Sequence, residues 1–257
     1  MNKIIQGDCL EVMKTLENNS IDLTVTSPPY DNLRTYNGYT FDFEGIAKEL
    51  YRVTKQGGVV VWVVGDATIK GSETGTSFKQ ALYFKEIGFN LHDTMIYKKD
   101  GVTFPDKTRY YQCFEYMFIF TKGKIKTFNP ICDRENKYKG EYSGKGYRQR
   151  NGEVKVGKRK IVKDFGFRFN VWDISSGYMK TTKDKIAYEH PAQFPEKLAE
   201  DHILSWSNEG DIVLDPFAGS GTTLKMAKKN NRNYIGIEIS AEYIKIIEAR
   251  LRSLDRQ

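Results

Sequence analysis

The chain has 257 residues, carries 40 Lys+Arg against 33 Asp+Glu for a formal charge of +7, and is 39% hydrophobic. That composition supports a packed core and excludes wholesale disorder, and the length fits one large domain or a core domain with an insertion. No apolar run approaches the roughly 18 residues of a membrane span. The first residues carry no secretory signal, and Cys9, Cys113 and Cys132 are too few and too irregular for a disulfide framework or a zinc site, so the expected setting is a reducing cytoplasm, without membrane or metal.

Ile4-Ile5 reads as a short buried strand ending at Gly7-Asp8, followed by helical spacing over residues 9–16. Residues 21–26 alternate as a strand and stop at Pro28-Pro29. Residues 45–54 form a helix expected to close at Gly57-Gly58, and the unbroken apolar run 59–64 is a strand buried on both faces. A helix over 77–87 and strands over 91–97 and 114–120 follow. Beyond a basic stretch come a helix at 196–206, a strand at 211–215, a helix at 223–229, a strand at 234–239 and a helix at 241–254. Strands alternating with helices predict an α/β fold, Rossmann-like, with seven strands in a mostly parallel sheet.

The charge is uneven. Residues 122–185 hold 18 Lys+Arg against 7 Asp+Glu, leaving 22 against 26 elsewhere. Nine aromatics from Phe128 to Tyr178 lie in the same stretch. Cations neutralise phosphates and aromatics stack on bases, so nucleic-acid contact and a solvated basic loop region both fit. The rhythm of elements breaks there, dividing the chain into 1–121, an insertion at 122–185, and 186–257.

Two strand ends carry unusual loops, where open α/β sheets bind ligands. Asp215-Pro216-Phe217-Ala218-Gly219-Ser220-Gly221-Thr222-Thr223 joins a strand to a helix. Its glycines permit close approach at a helix start, yet no Lys follows them, so it is not a P-loop. Asp215 repels a pyrophosphate and attracts a cation, and Glu238 ends the next strand where an acid can accept from ribose hydroxyls. A nucleoside joined to a cationic group fits, which points to S-adenosylmethionine. The second loop is Thr26-Ser27-Pro28-Pro29-Tyr30. Two prolines fix the chain and remove donors, leaving carbonyl acceptors, the Ser27 hydroxyl and an aromatic face. Ser27 and the Pro28 carbonyl can take the two hydrogens of a planar amine while Tyr30 stacks on its ring.

Together these motifs resemble the β-class, circularly permuted amino-methyltransferases of DNA, which act on N4 of cytosine or N6 of adenine. The order matches: Thr26 to Tyr30 first, a variable insertion, then His190-Pro191-Ala192-Gln193-Phe194-Pro195 and the Asp215 loop. The resemblance makes Ser27, Pro28, Pro29 and Tyr30 catalytic. It places Gly219, Ser220, Gly221 and Thr222 along the methionine part of the cofactor, Phe217 on its adenosine side and Glu238 on its ribose, and counts Thr223 among the cofactor-binding residues. Asp8, with Cys9 beside it, matches the acid that accepts from the adenine amino group. His190, Ala192, Gln193 and Phe194 close over the methionine carboxylate. Residues 31–40, with Arg34 and Tyr36, match the loop that closes over DNA, and the insertion is the target-recognition region, with Lys145, Arg148, Arg150, Lys158, Arg159 and Lys160 toward double-stranded DNA. Dimerisation and a companion restriction enzyme belong to the family picture, and no residue here decides either. Read alone, Cys9 is a small buried residue; it is not a nucleophile, because C5-cytosine methylation needs a Pro-Cys context.

Within the family, Ser at position 27 and the His-Pro-Ala-x-Phe-Pro form favour N4 of cytosine over N6 of adenine. An RNA or protein-amide methyltransferase more often has Asn in place of Ser27 and lacks the basic insertion. A DNA-binding module without turnover is opposed by intact Ser27, Tyr30, Asp215 and Glu238.

Overall fold

The computed structural model describes residues 2–29, 41–101, 107–143, 146–155 and 160–255. Tyr30, Arg34, Tyr36, Lys145, Lys158 and Arg159, all expected at the site or on DNA, lie outside the described residues. The chain divides into a larger unit, Met1–Asn129 with Asn170–Gln257, and a smaller one, Pro130–Phe169.

The larger unit is built on strands β1 (Lys3–Gln6), β2 (Ile21–Thr26), β3 (Thr54–Val64), β4 (Asn90–Lys98), β5 (Phe114–Thr121), β6 (Val171–Asp173), β7 (Ile212–Asp215) and β8 (Asn233–Glu238). They form one sheet in the order β1-β8-β7-β2-β3-β5-β4-β6. Only β5 runs against its neighbours. The expected seven strands are therefore eight. The extra one, β6, comes from the expected insertion and pairs in parallel with β4, Trp172 opposite Tyr97. Trp172 is buried against the His202 ring, with centroids 4.5 Å apart, so it belongs to the core of this unit.

Helices α1 (Cys9–Lys14), α2 (Phe43–Val53), α3 (Thr76–Glu86), α4 (Glu196–Trp206) and α5 (Thr222–Lys229) lie between strands, and α6 (Ala241–Leu254) follows the last of them. In α2 the buried residues Ile46, Ala47, Leu50 and Val53 recur at helical spacing and present one apolar stripe. That stripe joins a core containing Trp62, Phe84, Phe89 and Phe120. The buried indole of Trp62 is satisfied by Gln80 Oε1 at 2.8 Å.

Gly57-Gly58 does not close α2. Thr54 already starts β3, whose pairing with β2 shifts register between Ile21 and Leu23. Gly57 sits at φ 82° within that irregularity, and its N–H donates to the Lys122 carbonyl at 2.7 Å. A bulge needs the left-handed backbone that glycine supplies, so the same residue type serves a strand where the sequence suggests a helix end.

The smaller unit is a nested antiparallel ribbon. Arg134–Glu135 pairs with Phe165–Gly166, Tyr142–Ser143 with Lys160–Ile161, and Tyr147–Arg148 with Val154–Lys155. Its 12 Lys+Arg stand against 5 Asp+Glu, an excess equal to the net +7 of the whole chain. Tyr138, Tyr142, Tyr147, Phe165, Phe167 and Phe169 are exposed on it. Among the described residues no helix is long and apolar enough to cross a membrane.

Candidate functional site

Strands β7 and β2 are parallel neighbours, with Val213 opposite Leu23 and Leu214 opposite Thr24. Their carboxyl ends therefore lie side by side, and the two loops singled out in the sequence start from adjacent tips. Thr26 Oγ1 donates to Asp215 Oδ1 at 2.6 Å, and Thr223 Oγ1 donates to the Val25 carbonyl at 3.2 Å. Ser27 follows Thr26 directly, with Pro28 buried and Pro29 half-buried.

Asp215 is almost wholly buried. Desolvation pushes its carboxyl up to about 6, against the opposing pull of hydrogen bonds from Thr26, Thr223 and the Phe217 N–H. Glu238, at the tip of β8, is also raised by burial. Its Oε2 accepts from the Gly219 N–H at 2.8 Å and its Oε1 from the Ser240 N–H at 2.9 Å. Glu238 thus shapes the glycine loop as well as ending a strand. The next tip is that of β1, where Gly7 N–H donates to the Glu238 carbonyl at 3.0 Å. Asp8 follows and caps α1, its Oδ1 accepting from the N–H groups of Leu10 and Glu11. Cys9 is buried in the hydrophobic core.

The glycine loop turns at Gly219 (φ 51°) and Gly221 (φ 79°), and α5 begins at Thr222. The first-turn N–H groups of a helix have no intrahelical acceptor, which favours an anionic ligand group there. The Gly219 backbone meets the His190 ring so closely that an added Cβ would sit 3.0 Å from Nε2. His190 is buried, its ring edge-on to Tyr243 at 4.4 Å, and its Nδ1 lies 2.8 Å from the Ala192 carbonyl. Gln193 Nε2 donates to the His190 carbonyl at 2.7 Å, and Ser220 Oγ lies 3.5 Å from Gln193 Oε1. Phe194 is half-buried. Phe217 is half-buried with its ring against Phe41 and Trp62, at 5.8 and 6.3 Å. The two threonines of the loop face inward: Thr222 Oγ1 accepts from Arg250 at 3.0 Å, and Thr223 bridges to β2.

One end of the sheet therefore holds carboxylates at three strand tips, a glycine turn leading into a helix start, and a buried histidine. This donor set matches a ligand that carries hydroxyls, an amino group, a cationic centre and a carboxylate, and so fits S-adenosylmethionine. Of the expected DNA contacts, Arg148 and Arg150 are exposed at the tip of the ribbon and Lys160 is exposed on its return strand.

Sequence reasoning missed Arg250. It is fully buried and donates from Nη1 to the Ser220 carbonyl at 2.7 Å and to Ser220 Oγ at 3.1 Å. The signal was present: Ile246, Ile247, Arg250 and Leu251 make the buried stripe of α6, and a charge inside such a stripe must have partners.

Comparison with known proteins agrees with this geometry. A family model described as "DNA methylase", of the N6/N4 methyltransferases, matches residues 21–249. The orphan methyltransferase M.BamHII of Bacillus amyloliquefaciens is 69% identical over 96% of this chain and 91% of its own. The type II methyltransferase M.HpaI of Haemophilus parainfluenzae is 35% identical over 98% of this chain and 74% of its own. The DNA adenine methyltransferase YhdJ of Escherichia coli is 32% identical over 98% and 82%. Among solved structures, the cytosine-N4-specific PvuII DNA methyltransferase superposes with a TM-score of 0.72 at 21% identity, covering 97% of this chain and 86% of that one. A complex of M1.HpyAVI with S-adenosylmethionine superposes at 0.63 with 24% identity, covering 98% and 100%. The chain belongs to the N6/N4 DNA methylase family and is an S-adenosylmethionine-dependent DNA methyltransferase.

Proposed function

We propose that this enzyme methylates N4 of cytosine in duplex DNA after the base has been swung out of the helix. The observation that carries the reading is the adjacency of β2 and β7, tied by the Thr26–Asp215 hydrogen bond. It sets the Ser27 loop beside the glycine loop, and a methyl transfer needs its two reactants within a few ångströms and in line.

S-adenosylmethionine supplies an electrophilic methyl group. Ser220 to Thr223 and the His190–Phe194 segment hold its methionine end, Phe217 and Asp8 its adenosine, and Glu238 its ribose. An exocyclic amine is a weak nucleophile because its lone pair is delocalised into the ring. Ser27 Oγ and the Pro28 carbonyl accept its two hydrogens, favour a pyramidal nitrogen and free that lone pair. Pro29 fixes the turn, and Tyr30 stacks on the base and offsets part of the few kcal/mol of extrusion. The ribbon contacts the duplex through Arg148, Arg150 and Lys160.

Ser27 and the Phe form of the His-Pro motif support cytosine. Adenine is the second reading, favoured by similarity to the adenine enzyme of E. coli. Nucleoside mass spectrometry of DNA from cells expressing the chain tests both. N4-methylcytosine is expected; N6-methyladenine alone overturns the choice of base, and unmodified DNA overturns the activity.

A further inference from the structure

Behind the glycine loop lies a group of charges that no step above uses. Arg250 Nε donates to Asp184 Oδ2 at 2.9 Å and Nη2 to Glu196 Oε1 at 2.7 Å. Lys225 Nζ donates to the same two oxygens at 2.7 and 2.9 Å. Thr182 Oγ1 donates to Glu196 Oε1 at 2.7 Å. Two cations and two carboxylates thus balance. The remaining arm of the guanidinium reaches forward to the Ser220 carbonyl, Ser220 Oγ and Thr222 Oγ1. From Ser220 the contacts continue through Gln193 to the His190 carbonyl.

Enclosing four charges is expensive unless the set is complete, and removing one partner leaves the others uncompensated. An arginine keeps its proton and presents a rigid fork, so it can hold a loop carbonyl and two carboxylates at once. Without Arg250, Asp184 and Glu196 would leave negative charge immediately behind the loop.

We infer that Arg250 is a positioning residue for the methyl donor: it braces the Ser220 turn and cancels the Asp184 and Glu196 charges, so that a carboxylate-bearing ligand is tolerated in front of that turn. This rests on the reading that Ser220 and the His190 segment hold the methionine end. The effect is therefore specific to ligands with a carboxylate, which a merely structural role is not.

The test is calorimetric titration of the full chain with S-adenosylmethionine and with its decarboxylated analogue. In Arg250→Met the dissociation constant for S-adenosylmethionine rises by about tenfold or more, while that for the analogue moves by less than about threefold. Glu196→Gln shifts the ratio the opposite way, toward the carboxylate ligand. If Arg250→Met does not fold, Arg250→Lys carries the test: it keeps the charge and loses the fork, so both constants rise by one common factor, less than about threefold, and their ratio is retained. A ratio of the S-adenosylmethionine constant to the analogue constant that stays fixed in Arg250→Met and Glu196→Gln, or that rises by about tenfold in Arg250→Lys, overturns the inference. Failure of the wild-type chain to bind S-adenosylmethionine overturns instead the site reading beneath it.

Discussion

The Thr26 hydroxyl lies 2.6 Å from a carboxylate oxygen of Asp215, 189 residues further along the chain. It ties the tip of the strand that leads into Ser27 to the tip of the strand that leads into the glycine loop. Thr26→Val keeps the shape and removes the donor. With Asp215 ionised, an unpaired buried acceptor costs roughly 1–3 kcal/mol. Urea unfolding at pH 8 should show a loss of that size, and at pH 5, where Asp215 is protonated, a smaller one. Equal losses at the two pH values would mean that the bond does not hold the charged form.

Asp215 itself sets a pH dependence. Burial raises its carboxyl from the ordinary 3.8 to about 6. The folded state therefore keeps a proton that the unfolded chain has released, and this contribution favours folding below about 4 and is lost as the pH climbs to about 6. Ionising it in place costs about 3 kcal/mol. Asp215→Asn should be more stable than wild type at pH 7–8 in the absence of cofactor and should lose the slope between pH 4 and 6. On the proposed site it should also bind S-adenosylmethionine more weakly, because a neutral amide offers no charge to the ligand's cation. Wild-type affinity should fall on acidification through 6 and that of Asp215→Asn should not; parallel titration curves would exclude Asp215 from the cofactor site.

Most of this architecture was legible because its signals are local. The unbroken apolar run at Val59 to Val64 gives a strand buried on both faces. The place of both loops was readable because proline and glycine mark strand ends. What escaped depends on long-range pairing. Strand β6 is only three residues long and takes its place from β4. The Gly57 bulge is set by register with β2. Arg250 draws its partners from α4, α5 and the segment around Asp184, which no spacing on α6 reveals.

The ribbon unit predicts separable effects on DNA. Arg148 stands on its last strand pair and Arg150 in the turn that follows, both exposed. A two-stranded ribbon fits the major groove, and exposed arginines there contact phosphate or guanine. Arg148→Ala and Arg150→Ala should each weaken duplex binding. The slope of log affinity against log salt should fall by about one for a phosphate contact and stay unchanged for a base contact. Affinity for S-adenosylmethionine should be unaltered in both. Undiminished duplex binding by the double variant, measured by fluorescence anisotropy over a salt series, would move DNA recognition away from the tip.

Two substitutions on opposite sides of the Thr26–Asp215 bond should separate chemistry from cofactor binding. On the proposed mechanism, Ser27→Ala removes a hydroxyl acceptor for the target amine and leaves the glycine loop untouched. Single-turnover rates should fall by about a hundredfold, the scale of losing one preorganised polar contact to the reacting group, with an unchanged cofactor dissociation constant. Gly219→Ala does the reverse. Its φ of 51° is strained for alanine, and the new Cβ would meet His190 Nε2 at 3.0 Å. Either the turn or the His190 ring must move, and both belong to the surface proposed to receive the methionine end. The cofactor dissociation constant should rise by about tenfold, while the rate at saturating cofactor stays closer to wild type than that of Ser27→Ala. Should Ser27→Ala weaken the cofactor as much as Gly219→Ala does, the two loops would be one binding surface, and the division of labour between the β2 and β7 tips would fail.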